Sequence, residues 1–455
     1  MKALLIDFGS TFTKVALANL DPPGLIGTAQ AVTTTSTDLL DGLRTALAEF
    51  SRGELEGIAV KRACSSAAGG LGIVAIGLVP VLTAKAAREA ALGAGARVLA
   101  TYAYTLTSRE IEEIRSLRPD MLLLAGGADG GEQRTILDNA ALIAESGLGV
   151  PVVYAGNKVA ADRAEELLTG RVPRVIVAAN VMPEVNVLQT EPARQAIREL
   201  YLQEITKAKG LERIQQEVGL AMPTPLAVMR GGELLQRTWK QTVVMVDIGG
   251  ATTDIHSFGD GKPSAAGVIL KGLPEPFVKR TVEGDLGMRL SAASLLHSVG
   301  VERLQEQLPF LLENGELQDY VNWISASKDA LPRNGRELLI ERALAIACIR
   351  EAIVRHTGRL EEAFTPSGRM WIQQGKDLTR VDLLVGIGGV LAHAGDPFDM
   401  LRQALKIEDS LALTPKHPQL YLDRHYLLAA IGLLSDIYPQ AAEALLGETL
   451  APSEV

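Results

Sequence analysis

Hydrophobic and polar positions follow two different periods along the chain. Short, largely apolar runs, such as residues 4–8, 121–125, 152–155 and 383–387, alternate with longer segments that have the spacing of amphipathic helices. Runs without polar alternation are typical of strands that are buried on both faces of a sheet. Strands of this kind separated by helical segments predict an α/β protein.

One strand–turn pattern occurs twice. Residues 6–14 read Ile-Asp-Phe-Gly-Ser-Thr-Phe-Thr-Lys, and residues 246–254 read Val-Asp-Ile-Gly-Gly-Ala-Thr-Thr-Asp. A second correspondence is expected between residues 122–127 and 383–389, where an aliphatic run ends in paired glycines. Two patterns recurring in the same order are most simply interpreted as internal duplication of an α/β unit.

The length of 455 residues exceeds what one hydrophobic core usually supports. The repeat predicts a first domain at residues 1–182 and a second at residues 241–455. A connecting helix and crossover are expected at residues 183–240. Mostly helical sequence at about residues 285–356 predicts an insertion in the second domain.

Composition excludes several classes of protein. The formal net charge of −9 argues against nucleic-acid binding, which usually needs a basic surface. The longest weakly charged stretch, residues 71–84, contains Pro80 and is too short to span a bilayer, so no membrane association is expected. The two cysteines, Cys64 and Cys348, form no CxxC pair or disulfide framework. A reducing, cytoplasmic location is therefore expected.

The repeated turns carry residue types suited to phosphate. Glycine allows a close approach of the backbone to a ligand, and the hydroxyl residues that follow can donate hydrogen bonds to phosphate oxygens. An aspartate at a strand end can hold Mg²⁺ through water. A single Asp-x-Gly turn could equally be an ordinary β-turn. The second copy, with two glycines, two threonines and flanking aspartates, favours the functional interpretation.

The two motifs resemble those of the actin/Hsp70/sugar-kinase superfamily. Residues 7–11 look like its phosphate-1 motif, residues 247–254 like its phosphate-2 motif, and residues 386–389 like its adenosine motif. The resemblance implies duplicated actin-like, ribonuclease H-like domains with ATP or ADP bound between them. Asp7 and Asp247 would hold hydrated Mg²⁺, and Asp254 would lie near the attacking water. The nucleotide contacts implied are Gly9, Ser10, Thr11, Lys14, Gly249, Gly250, Thr252, Thr253, Gly386, Gly388 and Gly389.

A narrower resemblance covers nearly the whole chain. Its distinctive segments are residues 64–71, 125–131, 154–158 and 280–289. Together they resemble the MutL/GlmL accessory proteins of adenosylcobalamin-dependent glutamate mutase and related aminomutases, which are unrelated to the mismatch-repair protein called MutL. The resemblance implies an ATP-dependent reactivating role, in which damaged cobalamin on a partner mutase is exchanged for intact cofactor. The superfamily resemblance implies slow ATP hydrolysis, with water as the acceptor.

Two alternatives fit the same fold. A small-molecule kinase would need a catalytic base beside its acceptor, and Asp254 or Asp129 could serve. An ATP-controlled scaffold would instead use the nucleotide to regulate assembly.

Overall fold

The computed structural model describes residues 1–34, 38–67, 70–205, 211–327, 330–365 and 368–453. Ala68 and Gly69, which belong to one of the segments resembling the MutL/GlmL proteins, lie outside these residues. The described strands are β1 (Lys2–Phe8), β2 (Phe12–Leu20), β3 (Pro23–Val32), β4 (Ile58–Ser65), β5 (Gly72–Gly77), β6 (Arg97–Ala103), β7 (Met121–Leu124), β8 (Val152–Tyr154), β9 (Val175–Val177), β10 (Leu220–Pro223), β11 (Val243–Ile248), β12 (Thr253–Phe258), β13 (Val268–Lys271), β14 (Val278–Glu283), β15 (Arg359–Thr365), β16 (Gly368–Gln374), β17 (Leu383–Ile387), β18 (Gln419–Asp423) and β19 (Leu450–Pro452).

The described α-helices are α1 (Leu39–Leu47), α2 (Arg52–Leu55), α3 (Lys85–Gly93), α4 (Ser108–Leu117), α5 (Arg134–Glu145), α6 (Ala161–Leu168), α7 (Glu191–Leu200), α8 (Glu212–Val218), α9 (Thr224–Trp239), α10 (Ala292–Val299), α11 (Val301–Gln305), α12 (Glu316–Ala326), α13 (Gly335–His356), α14 (Gly389–Ala392), α15 (Pro397–Ala404), α16 (Leu427–Leu434) and α17 (Pro439–Thr449). In the described part of the chain, no helix combines the length and the apolar character needed to cross a membrane.

The chain divides into two compact units. The first contains residues 1–231, 272–279 and 429–441, and the second contains residues 232–271, 280–428 and 442–455. Most of the segment 183–240, which the sequence pattern predicted as a connection, therefore belongs to the first unit. The reason is that β10 completes a sheet by pairing with β4.

The duplication is visible in the strand order of one sheet in each unit. The first unit has the order β10-β4-β1-β2-β3, and the second has β19-β18-β17-β11-β12-β14. In both sheets a central strand forms an antiparallel hairpin on one side and pairs with a parallel strand on the other. The predicted α/β class and its internal duplication are confirmed.

The predicted correspondence between residues 122–127 and residues 383–389 was wrong. The strand that occupies the position of β17 in the first unit is β4, because β4 pairs in parallel with β1 as β17 does with β11. Residues 122–127 instead contain β7, which lies in a different sheet. An aliphatic run ending in glycines is common to any buried parallel strand that turns sharply, so the pattern could not distinguish the two sheets.

That further sheet is entirely parallel and has the order β6-β5-β7-β8-β9. It is inserted between β4 and β10. Alternate residues of β5 enter opposite cores, with Ile73 packing in the core that contains α3 and Ile76 in the core that contains α4, α5 and α6. The first unit thus combines a repeated sheet with a doubly wound α/β layer.

The predicted helical insertion is helical, but part of it belongs to the repeated fold. In the first unit α1 follows β3 and packs against β2 and β3, and in the second unit α13 follows β14 and packs against β11 and β12. The buried face of α13 contributes a large share of the second core, including Leu344 and Ile349. Of the described helices within residues 285–356, α10, α11 and α12 have no counterpart in the first unit's repeated fold.

Candidate functional site

The two repeated hairpins have the same turn geometry. Gly9 N–H donates to the Phe12 carbonyl at 3.1 Å, and Gly249 N–H donates to the Thr252 carbonyl at 3.0 Å. A Cβ added to Gly9 would lie 2.6 Å from the Phe12 oxygen, and one added to Gly249 would lie 3.0 Å from the Thr252 oxygen. Glycine is required at position 9 and favoured at position 249 because the returning strand comes so close.

In the first hairpin, Asp7 is fixed by residues distant in sequence. Its Oδ1 accepts a hydrogen bond from Thr224 Oγ at 2.6 Å, and the Cys64 thiol lies 3.6 Å from the same oxygen. Burial and the neighbouring Asp7 raise the pKa of Cys64 well above its ordinary value, so the thiol stays protonated and can donate. Asp7 Oδ2 lies on the side of the glycine turn.

Ser10 is exposed at the tip of this turn, and Thr11 and Lys14 are half-buried. Lys14 lies directly opposite Asp7 in the antiparallel ladder. Residues that face each other in this way share one face of the sheet and have neighbouring side chains. The first hairpin therefore places an amine, two hydroxyl groups and a carboxylate around one turn.

The second turn is held by the segment 287–291. The N–H of Met288 donates to the Gly249 carbonyl at 3.0 Å, and the N–H groups of Arg289 and Leu290 donate to the Gly250 carbonyl at 2.8 and 2.9 Å. The Ala251 carbonyl accepts from Ser291 Oγ at 2.6 Å. A trans peptide sets its N–H opposite its carbonyl. The N–H groups of the next three residues (Gly250, Ala251 and Thr252) therefore point away from this segment.

The second hairpin sets two carboxylates against each other. Asp247 lies directly opposite Asp254, and like charges in this arrangement destabilise a hairpin. Arg280 on β14 offsets this repulsion, since its Nε and Nη2 lie 3.1 and 2.8 Å from Asp254 Oδ1. The other oxygen of Asp254 lies 3.4 Å from Thr252 Oγ.

Two residues expected at the site are accounted for by packing within the core. Thr253 is fully buried, and its hydroxyl contacts the Cys348 thiol at 3.0 Å. Alternation along β12 gives Thr252 and Asp254 one face and Thr253 the other, so its hydroxyl faces the core. Gly386 lies inside β17, where an added Cβ would meet the side chains of Leu391, Leu401 and Leu422. Its small size is thus explained by packing.

The remaining glycines of the predicted adenosine motif are close to the second hairpin. Gly388 has φ +107°, and an added Cβ would lie 2.3 Å from the carbonyl oxygen of Ile248, the residue after Asp247. At Gly389 an added Cβ would lie 3.1 Å from the Tyr426 hydroxyl. Burial, followed by the charges of Asp423 and Asp247, raises the pKa of Tyr426 to about 12. Tyr426 thus lies near both Asp247 and the glycine turn.

The charged residues in the segment 280–289 were singled out by the sequence, and the structure gives them structural partners. Arg355 pairs with Glu283 at 3.1 Å and with Asp285 at 2.7 Å. The hydrogen bond from Arg355 lowers the pKa of Asp285. Arg289 pairs with Glu341 at 2.8 Å. These ion pairs fix the segment that holds the second turn.

The residues present fit a magnesium nucleotide. Outward N–H groups and the hydroxyl of Thr252 suit phosphate oxygens. Among the described residues, no three His, Cys, Asp or Glu side chains converge to bind an ion directly. Mg²⁺ in nucleotide sites is usually retained by one or two carboxylates together with water and phosphate oxygens. Asp7 and Asp247 are the carboxylates that lie at the end of the central strand, each in its own unit.

Four contributors were missed by the sequence interpretation: Thr224, Arg280, Tyr426 and the backbone of residues 287–291. Thr224 and Tyr426 lie far in sequence from the motifs and carry no local pattern that marks them. Arg280 and residues 287–289 lie in or at the end of a segment that was recognised as distinctive. The sequence marked this segment as distinctive, but the contacts that its residues make with the second hairpin could not be predicted.

The fold and the paired turns define an α/β protein of the duplicated actin-like class. The family described as "MutL protein" matches residues 3–450. Protein MutL of Clostridium tetanomorphum is 42% identical over 459 residues, and the match covers 98% of this chain and 98% of the relative. The chain belongs to the MutL protein family, as the sequence motifs predicted.

Solved structures give more distant matches. Component A of the (R)-2-hydroxyglutaryl-CoA dehydratase of Acidaminococcus fermentans is 10% identical, with a TM-score of 0.32 and coverage of 97% of this chain and 99% of that one. A diol dehydratase-reactivating factor in nucleotide-free form is 11% identical, with a TM-score of 0.36 and coverage of 96% and 100%. Likenesses this distant carry no conclusion about function.

Proposed function

We propose that the chain binds and hydrolyses ATP with Mg²⁺ and uses this cycle to reactivate an adenosylcobalamin-dependent mutase of the glutamate mutase type. Reactivation would exchange damaged cobalamin for intact cofactor. Membership of the MutL family and the resemblance to accessory proteins of these mutases support the choice of partner. The observation that carries nucleotide binding is the pair of matched glycine turns, each preceded by an aspartate.

The proposed roles follow the geometry of each hairpin. Ser10, Thr11 and Lys14 contact phosphate from the first hairpin, and Gly249, Gly250 and Thr252 contact it from the second. Asp7 and Asp247 hold hydrated Mg²⁺ on the side of the turns. Asp254 orients the attacking water through the oxygen that does not face Arg280. Gly388 and Gly389 provide a close backbone approach for adenosine, with Tyr426 beside Gly389.

Water is the proposed phosphoryl acceptor. Asp129, the other carboxylate considered as a base for a kinase, has its Oδ1 engaged by Lys158 N–H and Asn180 Nδ2, both at 3.0 Å. Those bonds hold the loop after β7 together, which gives Asp129 a structural explanation. The cysteines are free and buried, in keeping with a reducing compartment, and we place the function in the cytoplasm.

The test is a reactivation assay. Cyanocobalamin-inactivated glutamate mutase is mixed with the protein, ATP, Mg²⁺ and fresh adenosylcobalamin, and mutase activity is followed with time. We expect recovery with ATP and little with ADP, because a nucleotide can drive partner exchange only if its two forms favour different partner-binding states.

Two variants show whether the nucleotide site is used. Asp247→Asn keeps the side-chain shape and removes the charge, so recovery should be lost. Asp41→Asn, at an exposed ion pair with Arg44, is the matched control and should recover activity normally. Recovery that is equally good without nucleotide would contradict the proposal, as would full recovery with Asp247→Asn.

A further inference from the structure

Arg280 occupies an unusual position for a charged residue. Its side chain is only 3% exposed, and that of its partner Asp254 is 13% exposed. Taking two charges out of water is costly unless they are paired in good geometry. Arg280 meets this need with two N–H groups, since Nε and Nη2 both lie within 3.1 Å of Asp254 Oδ1.

The two donors meet the same oxygen of Asp254. Because Oδ1 is occupied by Arg280, the rotation of the carboxylate is set and Oδ2 is directed toward Thr252 Oγ, 3.4 Å away. Thr252 follows the turn whose N–H groups point outward. Oδ2, which faces the Thr252 hydroxyl, thus lies on the turn side of the carboxylate.

The strand that carries Arg280 is anchored from its other face. Thr281, the next residue on β14, contacts His356 Nδ1 at 2.8 Å, and His356 Nε2 contacts Ser257 Oγ at 2.8 Å. Both His356 and Ser257 are fully buried. Arg280 is therefore presented by a strand held in place independently of Asp254.

We propose that Arg280 is a positioning residue for ATP hydrolysis, which acts by fixing the orientation of Asp254 rather than by binding nucleotide. The inference rests on the proposed function, because it assumes that the chain hydrolyses ATP. It assigns Asp254 to orienting water with one defined oxygen. It also explains why a buried arginine faces a hairpin that already has two opposed carboxylates.

A double-mutant cycle tests this role. Arg280→Met, Asp254→Asn and the double variant are compared with the wild-type protein for kcat, and ATP affinity is measured by calorimetry. We expect Arg280→Met to lower kcat by roughly 10- to 100-fold, the size associated with small displacements of a reacting group, with little change in affinity. The double variant should be no slower than Asp254→Asn alone, because Arg280 acts only through Asp254.

Arg280→Lys sharpens the test. A lysine keeps the charge but cannot present two N–H groups in a fixed plane, so kcat should lie between those of the wild type and Arg280→Met. Arg303→Met, at a surface ion pair with Glu351, is the matched control, and kcat should stay within about twofold of the wild-type value. Should Arg280→Met alone fail to fold, Arg280→Lys in both backgrounds completes the cycle.

The results distinguish failure of the proposed function from failure of the role assigned to Arg280. A wild-type protein that does not hydrolyse ATP overturns the proposed function and this role with it. Wild-type hydrolysis with an unchanged kcat in Arg280→Met overturns this role alone. The role of Arg280 is also overturned if the kcat losses of the two single variants multiply in the double variant. The same holds if a fall in ATP affinity accounts for the whole effect of Arg280→Met.

Discussion

The first hairpin sets Asp7 opposite Lys14, whereas the second sets Asp247 opposite Asp254. The backbone turns are nearly the same, with glycine N–H bonds of 3.1 and 3.0 Å. In the first hairpin the opposed charges balance within the ladder. In the second they repel, and Arg280 from a neighbouring strand restores the balance. Duplication therefore preserved the turn while the facing charges diverged.

The support of the two turns also differs. In the first, Asp7 is braced by Thr224 and Cys64, and the Thr11 carbonyl accepts from Thr33 N–H at 2.8 Å. In the second, residues 287–291 hold three successive carbonyls of the turn. The first hairpin thus has its strand-end carboxylate held by side chains, whereas the second has three carbonyls of its turn held by one segment and the carboxylate of Asp254 held by Arg280.

The largest expected effect comes from removing either carboxylate at a strand end. Asp7→Asn and Asp247→Asn should each lower kcat for ATP hydrolysis by about 100-fold or more, as expected when a preorganised charge is lost from a reacting phosphate site. Phosphate release under saturating Mg²⁺ and ATP measures this, with Asp41→Asn as the control. Normal hydrolysis by both variants would show that the site is assigned wrongly.

Adding a side chain within residues 287–291, which hold the backbone of the second turn, should disturb the second hairpin selectively. A Cβ on Gly287 would lie 2.5 Å from the Ala251 carbonyl carbon and 2.6 Å from its oxygen. Gly287→Ala should lower the free energy of unfolding by about 1–3 kcal/mol and weaken ATP binding. Thermal unfolding and calorimetry give the two values.

Gly284→Ala is a matched control, since nothing lies within 4 Å of a Cβ added there. It should leave both the unfolding free energy and the ATP affinity near the wild-type values. Equal effects of the two substitutions on unfolding free energy and ATP affinity would contradict the conclusion that close packing at Gly287 holds the second turn.

Neutralising Lys14 tests whether the balanced hairpin also binds phosphate. Lys14→Gln should raise the Kd for ATP by about tenfold, the effect of losing one charge-assisted contact of roughly 1.4 kcal/mol. Lys262→Gln, at an exposed ion pair with Asp260, provides the comparison. An equal rise in the Kd for ATP in both variants would mean that Lys14 acts through general surface charge and not through a phosphate contact.

The smallest effect concerns the thiol beneath the second hairpin. Burial raises the pKa of Cys348 to about 12, whereas an unfolded cysteine has a pKa of about 8.5. Between these values the unfolded chain releases a proton that the folded chain keeps, so stability falls as the pH rises. Below pH 8.5 the thiol adds no pH dependence.

Urea unfolding at pH 8, 9 and 10 should show this slope, which approaches about 1.4 kcal/mol per pH unit for one thiol above its unfolded pKa. Cys348→Ala should have a shallower slope than the wild-type protein. Identical slopes would mean that Cys348 is open to solvent in the folded protein.

The sequence by itself determined the class of fold, the duplication and the principal motifs. Buried strands and glycine turns are local consequences of residue order, so residues 6–14 and 246–254 could be matched directly. The capping box of α4, formed by Thr107 and Glu110, is likewise local. Membership of the MutL family was also readable, because four separated segments carried it.

Tertiary structure decided what local pattern could not encode. The aliphatic runs of β7 and β17 look alike, and only strand pairing shows that they belong to different sheets. The alternation that buries the Thr253 hydroxyl depends on which face of β12 meets α13. Arg280 and Thr224 reach the aspartates across long stretches of sequence. Such contacts follow from the packing of distant segments, which periodicity and motif spacing do not specify.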